Sequence, residues 1–333
     1  MIRITFILPC YNVEQYLEEC LGSIYDQGLQ ESEFEVICVN DCSTDKTREL
    51  IVSCQSSHTN LVLLDQPVNM LPGAARNRGL EVARGEFVWF VDSDDLLKTN
   101  VVDGMLKEMD EGGLDFLMFN YDEFKGGDSS AFVKKTDSYE SWGVEDGLSF
   151  LDHHFNNELR RLSLVWLCIF RRSFLQKNNI SFPDLCMSED SLFMWKCFFE
   201  AQAVKSIDKR VYIHRLNDSS IVLSPPDARK QYSRSFLFPM AINKILEQYQ
   251  GRLPRVIDDE MKGYLRYELN QFAVRYLQLS DSEQSKYFES MRSGKRSFYQ
   301  MESYLSRKNR MIYMSVFFGR GFFNRIATLM ASN

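Results

Sequence analysis

Short apolar runs, each stopped by a polar cluster and followed by a helical pattern, dictate how the first third of this chain can fold. Thr5–Leu8 is ended by Pro9 and the polar Tyr11-Asn12. Phe34–Val39 runs into Asn40-Asp41-Cys42-Ser43-Thr44-Asp45. Leu61–Leu64 comes next, then Glu86–Val91, which stops at Asp92-Ser93-Asp94-Asp95, and then Leu114–Tyr121. Runs of this length bounded by turn residues read as buried strands. Val13, Tyr16, Leu17, Cys20, Leu21 and Ile24 recur at helical spacing, with the helix expected to begin at Asn12 and Gln15 at its capping-box position. Ser43 or Thr44 is expected to cap a second helix, and a third is expected to follow Gly73 and end at Gly85. Strand–helix alternation of this kind predicts an α/β domain with a mostly parallel central sheet covered on both faces.

Beyond Phe150 the rhythm changes. A mixed segment with a dense patch at Phe182–Phe199 runs to about Leu223, and Pro225-Pro226 marks a boundary. The remainder reads as helical. The chain therefore divides into 1–222 and a helical C-terminal region, 223–333.

Composition narrows the functional classes. Over 333 residues, 44% are apolar and 26% charged, which suits a folded globular protein and excludes a disordered or collagen-like one. A formal charge of −7 argues against a general nucleic-acid binder, because phosphate neutralisation needs an excess of Lys and Arg. The eight cysteines form no CxxC pair, and Cys54 with His58 has no second pair to complete a zinc site. Several sit in apolar runs, as reduced thiols of a cytosolic protein do. Met1-Ile2-Arg3 leads straight into the first strand, so no signal peptide is expected, and no uninterrupted apolar stretch is long enough for a membrane span. The first strand-to-helix turn has no glycine, so G-x-G-x-x-G is missing, as is G-x-x-x-x-G-K-[ST]. A dehydrogenase and a P-loop enzyme are thereby demoted.

In an open parallel sheet, ligands bind outside the carboxyl ends of the strands. Parallel strands would bring Pro9–Asn12, Asn40–Asp45 and Asp92–Asp95 to one edge. Three carboxylates in Asp92-Ser93-Asp94-Asp95 repel one another unless a cation joins them. Hard oxygen ligands suit Mg²⁺ or Mn²⁺, often held by one or two carboxylates plus substrate phosphates. The alternative is an acidic turn with Asp95 as a helix cap. In Gly73-Ala74-Ala75-Arg76-Asn77-Arg78-Gly79 the small residues permit close approach at a helix start, and Arg76 can add a phosphate contact. The alternative is an ordinary surface helix. Glu189-Asp190 precedes the apolar Leu192-Phe193-Met194-Trp195 and is either a pair serving the helix dipole or a general base on a hydrophobic helix.

Together these segments resemble the family 2 inverting glycosyltransferases of bacterial surface-polysaccharide type, which have a GT-A nucleotide-sugar-binding fold. The matching pieces are Ile7–Asn12, Val39–Asp45, Asn69–Gly79, Glu86–Asp95 and Ser188-Glu189-Asp190, in the family's order over about residues 3–220. The resemblance implies a nucleotide-binding half, 1–100, and an acceptor half, 101–222. It implies that Pro9, Tyr11, Asn12 and Asp41 hold the base and ribose of a nucleotide-sugar, usually a UDP-sugar. Arg76 would lie near the nucleotide or diphosphate, Asp92 near the ribose or metal, and Asp94 on the metal, Mn²⁺ or Mg²⁺. Asp190 would deprotonate the acceptor hydroxyl, and Glu189 would be a neighbour binding acceptor. Trp166 matches a segment on the acceptor side. Tyr212-Ile213-His214-Arg215 falls where relatives carry a Tyr/Arg-rich strand and loop; His214 would touch the metal or diphosphate and Arg215 the phosphate. Cys42 and Leu71 depart from the pattern, each standing where glycine is common.

From Met291 to the end, eight Lys and Arg face one Glu, a net of +7, so the rest of the chain carries −14. The basic, aromatic stretch 307–330 is a candidate for peripheral contact with anionic lipid on the cytoplasmic face of the inner membrane, against a helix docked on the body. The implied function is transfer of a sugar to a glycan or lipid-linked acceptor. The competing readings are a nucleotidyltransferase, which wants a glycine-rich basic first loop, and a non-catalytic sugar-binding module.

Overall fold

The computed structural model describes residues 1–125, 132–133, 140–155, 164–184, 188–216, 233, 237–293 and 319–331. It divides into two compact units, Met1–Asp184 with Phe193–Ser224, and Leu185–Leu192 with Pro225–Asn333.

The first unit is built on one sheet. Its strands are β1 (Ile4–Cys10), β2 (Phe34–Asn40), β3 (Leu61–Asp65), β4 (Phe87–Phe90), β5 (Leu96–Leu97), β6 (Phe116–Lys125), β7 (Phe132–Val133), β8 (Trp142–Glu145), β9 (Cys168–Arg171) and β10 (Val204–Leu216). The order is β3-β2-β1-β4-β9-β6-β10-β5, with β7 beside β6 and β8 beside β10. The first four pair in parallel, as does β6 with β10, which gives the mostly parallel sheet expected. The antiparallel pairings come from β9, inserted between β4 and β6, and from the short strands β5, β7 and β8.

Both faces are covered, which is why β2 is buried at every position and reads as a continuous apolar run. Alternation along β4 sends Trp89 and Phe90 to opposite faces. Trp89 meets Phe6 and Phe119, whereas Phe90 meets Phe170, Phe182 and Phe193. The charged exception in β2 is Glu35, satisfied by Thr5 Oγ1 at 2.7 Å and by the Arg84 backbone N–H and guanidinium.

Helices α1 (Leu17–Tyr25), α2 (Thr47–Gln55), α3 (Leu71–Val82), α4 (Val102–Glu111), α5 (Gly147–Phe155), α6 (Arg172–Lys177) and α7 (Glu189–Glu200) connect the strands. Their starts differ from the sequence expectation. α1 begins at Leu17, not Asn12, because Asn12 adopts a left-handed φ of 53° and spends its side chain on the next loop. α2 is not capped by Ser43 or Thr44; Asp45 Oδ1 accepts the Thr47 N–H at 3.0 Å instead. α3 begins two residues before Gly73 and ends at Val82 rather than Gly85. Its glycine with a packing role is Gly79, where a Cβ would come within 2.4 Å of Ile7 Cγ2, so helix and strand meet backbone to side chain.

Among its described residues the second unit is helical, with α8 (Phe238–Gln248), α9 (Arg255–Leu277), α10 (Asp281–Ser293) and α11 (Arg320–Ala331). Phe323 of α11 packs edge-on against Tyr276 at 4.8 Å and beside Phe288 at 5.7 Å, and Arg320 binds the Asp281 carbonyl at 2.8 Å. Residues 307–318 of the basic stretch lie outside the described residues. Among the described residues no helix is long and apolar enough to cross a membrane. None of the described cysteines is in a disulfide, and Cys186 lies outside them.

Candidate active site

The parallel registers place Cys10, Asn40 and Asp65 side by side at one sheet edge. Ser93 Oγ donates to the Pro9 carbonyl at 2.7 Å, which brings the β4 end to the same place. The three polar clusters singled out in the sequence therefore do meet.

The loops after β1 and β2 are stitched to each other. Asn12 Oδ1 accepts the Thr44 N–H at 2.8 Å, and the Asn12 N–H donates to Ser43 Oγ at 3.2 Å. Val13 N–H donates to Thr47 Oγ1 at 2.8 Å and Glu14 N–H to Asp45 Oδ2 at 3.1 Å. Partial burial pushes the Asp45 carboxyl up, but the bonds from Thr47 and Glu14 prevail and leave it below the ordinary value. Tyr11 remains exposed on this rim.

Asp41 is buried, and its carboxylate is turned on the chain itself. Oδ1 accepts from Gln66 Nε2 at 2.9 Å and Met70 N at 2.7 Å, and Oδ2 from Leu71 N at 2.8 Å. It ties the end of β2 to the start of α3. Cys42 and Leu71, the two departures from the family pattern, adopt φ of 60° and 75°. That conformation is what glycine takes without strain, so the departures mark real backbone requirements.

Arg76 is buried beneath the acidic loop. Its Nη2 reaches Asp92 Oδ1 at 2.8 Å, and its guanidinium lies 5.4 Å from the Phe182 ring. The sequence pointed to Arg76 as a phosphate contact and missed this pairing, although a cation was required somewhere near three clustered carboxylates. Arg215 is buried too, with Nε donating to the Asp94 carbonyl at 2.8 Å and Nη2 to Glu19 at 2.5 Å.

Behind the loop, Asp95 is buried and accepts from Tyr212 Oη at 2.8 Å and the Arg215 N–H at 2.7 Å. Burial, then the Asp94 and Asp92 carboxylates, push its carboxyl well above the ordinary value against those two bonds. Tyr212 also accepts the Asp92 N–H at 3.1 Å. Its ring stacks on Trp166 at 4.6 Å, and Trp166 stands edge-on to Tyr121 at 4.9 Å with His214 at 5.4 Å. Sequence reasoning gave no role to Asp95 beyond a cap and none to the Tyr212 hydroxyl; both needed β10 to be seen beside β6 and β5.

Glu189 and Asp190 open α7 after Ser188, which has a φ of 65°. Glu189 is buried and Asp190 half-buried. Both lie in the segment grouped with the second unit. Among the described residues, no group of three or more His, Cys, Asp and Glu is gathered as a metal site. The half-buried Asp92 and Asp94 offer hard carboxylate oxygens, a donor set that fits Mg²⁺ or Mn²⁺ when substrate phosphates complete the shell.

The sequence model of Glycosyl transferase family 2 matches residues 5–177. The chain is 27% identical over 274 residues to the uncharacterized glycosyltransferase EpsJ of Bacillus subtilis, covering 82% of this chain and 75% of EpsJ. It is 30% identical over 235 residues to the poly(ribitol-phosphate) beta-N-acetylglucosaminyltransferase TarS of Staphylococcus aureus, covering 68% of this chain but only 39% of TarS. The fold matches that of S. aureus TarS 1–349, solved with UDP-GlcNAc, with a TM-score of 0.66 at 24% identity over 99% of this chain and 92% of that one.

Proposed function

The chain belongs to glycosyl transferase family 2, and on that premise we propose that it moves a sugar, with inversion, from a UDP-sugar to a hydroxyl of a glycan or lipid-linked acceptor in surface-polysaccharide synthesis. The observation that carries this reading is the convergence of the Pro9–Asn12, Asp41 and Asp92–Asp95 loops on one sheet edge, tied by the Ser93–Pro9 and Asn12–Thr44 bonds. TarS 1–349, which has this fold, is solved with UDP-GlcNAc, and TarS is named a poly(ribitol-phosphate) beta-N-acetylglucosaminyltransferase, which supports a UDP-linked donor and a polymer acceptor.

In this reading Tyr11 and Asn12 receive the nucleoside on the exposed rim. Asp41 sets the loop that frames it, and Arg76 fixes the Asp92 side chain. Asp92 and Asp94, with His214, would hold Mn²⁺ or Mg²⁺, which supplies positive charge against the departing diphosphate. Trp166 and Glu189 serve the acceptor side, and Arg215 stands near the phosphates. The acceptor hydroxyl oxygen attacks the anomeric carbon, the bond to the diphosphate oxygen breaks with its electron pair, and the hydroxyl proton passes to Asp190. Residues 1–222 carry this chemistry, the nucleotide in 1–100 and the acceptor in 101–222. The helical region 223–333 meets anionic lipid through 307–330. Exposed Phe322 and Arg325 support that last assignment.

Nucleotide release from a panel of UDP-sugars, with and without Mn²⁺, tests the donor class. Asp190→Asn should lower turnover by ~10²–10⁴-fold while UDP still binds; full activity in that variant would refute the base assignment. Charge reversal at Arg307, Lys308, Arg310 and Arg325 should abolish sedimentation with anionic vesicles, and unchanged sedimentation removes the membrane role.

A further inference from the structure

Among the bonds that hold the acidic loop after β4 are two made by one hydroxyl that neither the family resemblance nor the donor-site reading uses. Tyr212 Oη has one proton and two lone pairs. It donates to Asp95 Oδ2 at 2.8 Å and accepts the Asp92 N–H at 3.1 Å, so one atom spans both ends of Asp92–Asp95. The hydroxyl cannot wander, because the Tyr212 side chain is fully buried, stacked on Trp166 at 4.6 Å and flanked by Trp89 at 6.4 Å. Trp166 is itself pinned, its carbonyl accepting Trp89 Nε1 at 2.9 Å. On the far side, Asp95 also receives the Arg215 N–H at 2.7 Å, and Arg215 Nε holds the Asp94 carbonyl at 2.8 Å.

We propose that Tyr212 and Asp95 are positioning residues that fix the Asp92 and Asp94 carboxylates for a divalent cation. The inference rests on the reading of Asp92 and Asp94 as the cation's protein ligands. Both side chains are buried, and their oxygens are engaged by the chain itself. They hold the backbone from which the two ligands project, as outer partners hold the ligands of other metal centres. Three carboxylates within four residues would otherwise splay apart, and a small octahedral ion tolerates little error in ligand placement.

Tyr212→Phe removes the hydroxyl and leaves the ring stack in place. In the full-length chain with UDP, Mn²⁺ affinity read by electron paramagnetic resonance should fall by roughly 10–100-fold, with near-UV circular dichroism unchanged. Nucleotide release at saturating Mn²⁺ should stay within about threefold of wild type, so that the effect lies in the metal half-saturation and not in turnover. Asp95→Asn, which keeps the volume, should shift Mn²⁺ affinity in the same direction. Wild-type affinity in either folded variant overturns the positioning role. A wild-type protein that binds UDP with no dependence on Mn²⁺ would instead overturn the cation reading, and the positioning role with it.

Discussion

Asp41 Oδ2 accepts the Leu71 N–H at 2.8 Å and thereby holds a leucine at a φ of 75° at the first turn of α3. The same carboxylate takes two further N–H donors, from Gln66 and Met70. All three donors need an acceptor. Asn at this position offers one oxygen and turns an amide N–H towards a donor. Asp41→Asn should therefore cost about 1–3 kcal/mol in urea unfolding, and amide exchange at Met70 and Leu71 should accelerate before any other change.

Cys42 is exposed and sits at a φ of 60°. A left-handed residue with a Cβ costs about 1–2 kcal/mol, and glycine returns roughly 0.5–1 of that to the unfolded chain. Cys42→Gly should raise the urea midpoint by an amount equivalent to about 0.5–1 kcal/mol. A drop in stability would show that the thiol makes a contribution the backbone does not explain.

Gly79 faces Ile7 across the α3–β1 contact, with a hypothetical Cβ 2.4 Å from Ile7 Cγ2. Gly79→Ala should destabilise by about 1–3 kcal/mol despite the better helix propensity of alanine. Because Ile7→Ala removes the obstructing methyl, the double variant should lose less than the two single losses together. Fully additive losses in the cycle would rule out the contact as the cause.

Glu108 on α4 meets Lys205 on β10 at 2.5 Å, and that hydrogen bond and charge hold its carboxyl below the ordinary value near 4.5. A carboxylate lowered on folding stabilises fully above its unfolded pKa, and the contribution disappears as pH falls through the folded one. Glu108→Gln should accordingly show a shallower loss of stability than wild type between about pH 6 and about pH 3, measured by urea midpoints. A parallel loss in both proteins would show that the pair does not drive the acid limb.

The strand ends were legible in the sequence because buried parallel strands write themselves as unbroken apolar runs, and Asp92, Asp94 and Asp41 fall directly after them. The helix starts were not. Asn12, Ser43 and Thr44 have the side chains of N-caps, yet they bond across two loops that are distant in sequence, and no local pattern distinguishes the two uses. Arg76 was legible as a cation near the site but not as the partner of Asp92, because the pairing depends on α3 packing on β1, the neighbour of β4. In β10 the sequence singled out Tyr212-Ile213-His214-Arg215 for His214 and Arg215 alone, so the Tyr212–Asp95 bond had no signature short of the fold.

The place of β9 limits how this chain can be divided. Val88 of β4 pairs with Phe170, and on its other side Thr5 pairs with Val88. The parallel half of the sheet therefore has an open, wholly apolar margin until residues 168–171 have been synthesised and brought back. A fragment ending anywhere between β4 and β9 exposes Phe87–Phe90 as a bare edge, the kind of surface on which chains polymerise. The loops after β1, β2 and β4 cannot be exchanged between relatives as a free-standing cassette; a viable chimera must carry its own β9 with it.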